Sequence, residues 1–135
     1  MWWASYFYWQ VIAGCFSPEA ASKFKDALAD FQAVNAKPWL LQRRLQIEKP
    51  YEHMNWEAHQ LVFKQGGWEN FKKQYPGSLG IISLSAVGFS QDKTRAVVYS
   101  GSLCGSLCGS WDFHLMEKID GKWMEQPGVT CHTVS

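Results

Sequence analysis

The stretch from Trp111 to Ile119 constrains the fold more than any other part of the chain. Trp111, Phe113, Leu115 and Ile119 alternate with Asp112, His114, Met116 and Lys118. A period of two puts the first set on one face of a β-strand and the second on the other. Asp120-Gly121 follows directly. That pair favours a two-residue turn in which both central residues take positive φ, so the chain reverses and pairs antiparallel with Lys122 to Glu125. A strand with one apolar face needs a second layer to cover it.

The covering layer is legible upstream. Ser17-Pro18-Glu19 is a helix start: Ser17 caps, Pro18 suits the first helical position and Glu19 suits the positive helix end. Phe24, Ala27, Leu28, Phe31 and Val34 then recur at steps of three and four, an apolar stripe on one helix face, and Lys37-Pro38 stops the helix. Trp56 to Gln65 predicts a second helix, capped by Asn55 and stopped by Gly66-Gly67. Trp68 to Tyr75 predicts a third, ended by Pro76-Gly77. Leu41, Leu45 and Ile47, within Trp39 to Pro50, suit either a short helix or a strand.

Further strands are expected at Gly80 to Phe89, with an irregularity near Val87-Gly88, at Thr94 to Ser100 and at Val129 to Val134. Gly101-Ser102-Leu103-Cys104 repeats at once as Gly105-Ser106-Leu107-Cys108, which reads as a glycine-rich connection between strands. The expected architecture is α+β, with N-terminal helices packed on a three- to four-stranded antiparallel C-terminal sheet. At 135 residues the chain has the length of one domain and can bury roughly two-thirds of its unfolded surface. The net charge of +1, with no basic cluster larger than Arg43-Arg44, lacks the footprint of a nucleic-acid binder.

Residues Met1 to Gly14 carry no charged side chain and run into Ile12-Ala13-Gly14-Cys15. The tetrapeptide matches a bacterial lipobox, in which Cys15 becomes the lipidated mature N-terminus. Small residues beside the cut suit signal peptidase, although no Lys or Arg precedes the apolar stretch. Residues 1–15 are therefore expected to be a signal and lipobox segment, and residues 16–135 the single α+β domain. The competing assignment is an apolar segment packed on that domain.

Several runs carry a family resemblance. They are Tyr75-Pro76-Gly77-Ser78, Ser83-Leu84-Ser85-Ala86-Val87-Gly88-Phe89-Ser90, Ala96-Val97-Val98-Tyr99, the Cys104-Gly105 and Cys108-Gly109 region, and Asp120-Gly121-Lys122-Trp123. Together they resemble a family of uncharacterised bacterial exported or envelope proteins. The resemblance implies a cell-envelope or periplasmic setting and brings no catalytic residues with it.

Four cysteines and four histidines supply the remaining candidate chemistry. Cys104 and Cys108, with Cys131, His114 and His132, suit either a disulfide, free thiols or a tetrahedral metal site, and a short Cys104–Cys108 bridge would be a redox candidate. Glu52-His53 and Glu57-x-His59 place imidazoles near carboxylates, a general-base pattern that also describes ordinary surface polar residues. Ser83, Ser85 and Ser90 sit on or near strands, outside any nucleophile elbow. Aromatic residues reach 16%, with eight Trp. Trp56, Trp68, Trp111 and Trp123 are therefore candidates to line a pocket. The functional expectation is a non-catalytic exported domain, tethered to the membrane through Cys15, that binds a ligand or an envelope partner and needs no cofactor. The rivals are an aromatic-lined pocket or enzyme and a Cys/His metal or redox site.

Overall fold

The computed structural model describes residues 14–37 and 45–134. The expected signal stretch up to residue 13, the helix-stopping Pro38, and residues 39–44 of the ambiguous segment lie outside them. The helices are α1 (Pro18–Lys23), α2 (Lys25–Val34), α3 (Trp56–Lys64) and α4 (Gly67–Gln74). The strands are β1 (Ile81–Leu84), β2 (Gly88–Phe89), β3 (Arg95–Gly105), β4 (Cys108–Ile119), β5 (Lys122–Gln126) and β6 (His132–Val134). The fold is α+β, with the helices N-terminal to one antiparallel sheet.

Both expected caps form. Ser17 Oγ accepts from the Ala20 backbone N–H at 3.2 Å, and Asn55 Oδ1 from that of Ala58 at 2.8 Å. The single helix expected from Pro18 onward is divided at Phe24, a turn residue that is almost fully buried. Phe24 thus leaves the helix while staying in the core, so the apolar stripe survives the break.

The sheet has six strands, in the order β1-β3-β4-β5, with β2 on β3 and β6 on β4. It is larger than the three or four strands expected. The strand predicted over Gly80 to Phe89 is two, broken at the anticipated irregularity. There Ser85 keeps one backbone bond, its N–H donating to the Tyr99 carbonyl at 2.9 Å, while its Oγ in place of its carbonyl accepts from the Tyr99 N–H at 2.8 Å. Asn35, buried at the end of α2, bonds both the carbonyl and the N–H of Ala86, at 3.1 and 2.8 Å. Asp30 on α2 accepts from the Phe89 N–H at 2.7 Å. The chain between β1 and β2 is therefore held by α2, and Gly88 permits the approach. A Cβ there would collide with the backbone of Phe31 and the carbonyl of Ala27.

The repeated tetrapeptide is a hairpin and not a flexible loop. β3 runs on to Gly105, the chain turns at Ser106-Leu107, and β4 begins at Cys108. Pairing shifts between Leu103 and Gly105, so Cys104 is the extra residue of a β-bulge. The last strand is also shorter than expected, because Val129 bridges to Phe16.

One face of the sheet is closed. Val97, Phe113 and Leu115 pack with Phe16, Ala20, Phe24, Ala27 and Phe31 in the core. The rings of Phe16 and Phe31 meet Phe113 edge-on, at 5.3 and 5.8 Å between centroids. α3 and α4 form a separate aromatic ladder, running Trp56, His59, Phe63, Trp68, Phe71 and Tyr75.

Candidate functional site

The cysteines resolve into two disulfides, Cys15–Cys131 and Cys104–Cys108. All four sulfurs are consumed, so the thiolate ligands of the metal alternative are gone. Among the described residues no three His, Cys, Asp or Glu side chains are grouped to hold a metal. The expectation for Cys15 is also corrected. One sulfur cannot carry both a lipid thioether and a disulfide, and Cys15 is 2% exposed in the core. Its carbonyl accepts from the Thr130 N–H at 2.7 Å, and the Ser17 N–H donates to the Gly128 carbonyl at 2.8 Å. Residues 15 to 17 thus belong to the packed domain, and its boundary lies before Cys15. Disulfides persist in oxidising compartments, so this chain belongs to a non-cytoplasmic setting. Among the described residues no helix is long and apolar enough to cross a membrane.

The four tryptophans do not meet. Trp56 and Trp68 are in the ladder of α3 and α4. Trp111 lies on the closed side of β4, its indole edge where a Gly101 side chain would be. Trp123 pairs with Lys118, whose side chain has the opposite parity to Trp111, so it lies on the other face of the sheet. His53 and His59 each keep a buried ring nitrogen without a hydrogen-bond partner, so the expected carboxylate–imidazole pairs near Trp56 do not form through those atoms. Burial in the aromatic stack pushes the His59 pKa below its ordinary value. Ser85 and Ser90 are spent on backbone and turn bonds.

The polar chemistry gathers on the open face of the sheet. Register places Ser100 opposite Asp112, and Met116 opposite both Ala96 and Glu125. His132 stands opposite Asp112 on the other edge of β4. By strand alternation, Ser100, Asp112, His114, Glu125 and His132 share this face. His114 Nε2 is 2.7 Å from Ser100 Oγ, and its Nδ1 is 2.7 Å from Glu125 Oε1. His132 Nδ1 contacts Asp112 Oδ1. Next to this cluster Phe89 and Trp123 lie 6.0 Å apart between ring centroids. Lys93 and Lys118 extend over the two rings, at 5.1 and 5.8 Å from their centroids.

Sequence reasoning had His114 and His132 in view but grouped them with cysteines, and had Trp123 in view but grouped it with three other tryptophans. It missed Ser100, Glu125 and Asp112. The signal that could have found them is the hairpin register, which follows once the turn is placed at Ser106-Leu107. Compared with protein families, with curated proteins and with solved structures, the chain matches none of them.

Proposed function

We propose that the chain is an extracytoplasmic binding domain of the cell envelope, and that the open face of its sheet holds a glycan. The asymmetry of the sheet carries this reading. One face is filled by Val97, Phe113 and Leu115 under the helices. The other leaves Trp123 40% exposed and His114, Glu125, Asp112 and His132 partly or largely open to solvent. A sugar ring presents C–H faces that rest on aromatic surface and a rim of hydroxyls that both donate and accept. Trp123 and Phe89 supply the first kind of contact. Two carboxylates, two imidazoles and Ser100 supply the second. The lysines over the rings are long and flexible enough to swing aside.

Other partners fit less well. A protein partner would favour a contiguous apolar centre, whereas Ile82 and Val134 on this face are separated by Ser102 and Ser110. Nucleic acid would meet Asp112 and Glu125 where it needs cations. The disulfides support the setting, and the resemblance to bacterial envelope proteins agrees with it.

The test is a titration of isotope-labelled protein with soluble peptidoglycan fragments, followed by amide and indole shifts. Shifts should centre on Phe89, His114 and Trp123, and Trp123→Ala should weaken binding about tenfold or more. Saturating glycan that moves none of these signals would count against the reading.

A further inference from the structure

The geometry points to Ser100 as a nucleophile activated by His114 and oriented by Glu125, with a carboxylic ester as its substrate. The three side chains come from three neighbouring strands, β3, β4 and β5, and form an unbroken relay with both contacts at 2.7 Å. The order of the groups fixes the proton positions. A carboxylate only accepts, so His114 carries its proton on Nδ1 and donates it to Glu125. In the neutral ring Nε2 is then the acceptor, and the Ser100 hydroxyl must donate to it. This is the arrangement in which an imidazole can take a hydroxyl proton as the oxygen attacks. Asp112, directly across from Ser100, is occupied by His132, which leaves Glu125 as the carboxylate that holds the His114 ring.

The reaction balances without any added oxidant or cofactor. Ser100 Oγ forms a bond to the ester carbonyl carbon while its proton passes to His114 Nε2. The carbon–alkoxy bond breaks, and the leaving alcohol takes that proton from Nε2. His114 then removes a proton from water, whose oxygen displaces Ser100 from the acyl group. The products are the alcohol and the carboxylic acid, and Ser100 recovers its proton.

The class of substrate follows from the surroundings. β3 is flanked by β1 and β4, and Ser100 pairs with Leu84 on one side and Asp112 on the other. Its own N–H is committed to the sheet and is not free to stabilise an oxyanion. Esters, whose alkoxide leaves more readily than an amine, are the acyl compounds such a site can turn over. On the glycan reading above, which this part of the inference rests on, the ester is an acyl group carried by a saccharide hydroxyl. The nucleophile itself does not depend on that reading.

The experiment is covalent labelling of the full disulfide-bonded chain with a fluorophosphonate probe, read by intact mass and peptide mapping. Hydrolysis of p-nitrophenyl acetate is measured beside it. One adduct on Ser100 is expected. Ser100→Ala should abolish it, and His114→Ala should slow labelling about a hundredfold or more. Glu125→Gln changes a side chain that is 61% exposed, so the fold is retained, and it should slow labelling by a smaller factor. Ser106→Ala, in the hairpin turn, should label like the parent. Absence of any adduct, labelling that survives Ser100→Ala, or a rate unchanged in both His114→Ala and Glu125→Gln would overturn the assignment. Labelling of Ser100 without glycan binding would sink the saccharide reading and leave the nucleophile standing.

Discussion

His59 illustrates how one residue can tie stability to pH in this chain. Its ring lies nearly parallel to Trp56, 5.4 Å between centroids, and 4.7 Å from Phe63. Its Nδ1 is buried without a partner. Charging the ring there costs solvation that the unfolded chain keeps, which is why burial lowers its pKa from 6.5. The unfolded state then binds the proton more readily, so stability rises with pH through this group. Its contribution is complete above pH 6.5 and declines as the pH falls below that value toward the folded pKa. His59→Phe keeps a ring in the stack and removes the proton site. Melting temperatures at neutral and mildly acidic pH should therefore differ less in His59→Phe than in the parent. Equal acid sensitivity in both would assign the effect elsewhere. Asp92 behaves in the opposite chemical sense. Hydrogen bonds from the Thr94 side chain, Ser90 and the Thr94 backbone hold its carboxyl at about 2, so its share of the turn's stability is present above 3.8 and lost as pH drops through about 2. A carboxyl-carbon NMR titration should place its midpoint well below the ordinary aspartate value of 3.8.

Two of the β-hairpins, β4-β5 and β3-β4, show which elements announce themselves. Asp120 and Gly121 have φ of 51° and 78°, the turn that the Asp-Gly pair specifies. A Cβ at Gly121 meets no neighbour within 4 Å, so the cost of Gly121→Val is chiefly backbone strain, about 1 kcal/mol or more. Gly88→Ala is the converse case, a steric overlap with α2. It should cost about 1–3 kcal/mol by forcing β2 away from the helix. Denaturant midpoints of both variants check this, and an unperturbed Gly88→Ala would contradict the packing of β2 on α2. The second hairpin was not legible in the same way. Its turn, Ser106-Leu107, carries no strong turn residue, and the flanking glycines suggest a loop. What extends the strands is pairing over the full length of β3 and β4, a tertiary effect that local propensity does not encode. The helices were legible because caps and apolar spacing are local. The open-face cluster was not, because Ser100, His114 and Glu125 are distant in sequence and meet only through register.

At the scale of the molecule the two disulfides divide their work. Cys15–Cys131 joins positions 116 residues apart, with both segments already bonded to each other through Ser17, Gly128 and Thr130. Cys104–Cys108 spans a separation of 4 at an exposed hairpin tip, next to Leu107, which is 89% exposed. Closing a loop removes unfolded-state entropy that grows with loop length. The chain-entropy relation gives roughly 5 kcal/mol for the long bridge and roughly 2 kcal/mol for the short one. Access runs the other way, since a reductant reaches the tip without opening the core, whereas Cys15 is buried. Graded reduction followed by alkylation and mass spectrometry should therefore open Cys104–Cys108 first, with the chain still folded. Opening Cys15–Cys131 should coincide with unfolding. Paired Cys→Ser variants separate stability from access. The Cys15/Cys131 pair should lower the melting temperature far more than the Cys104/Cys108 pair. Equal losses would mean that the N-terminal segment is not the staple that closes the helices onto the sheet.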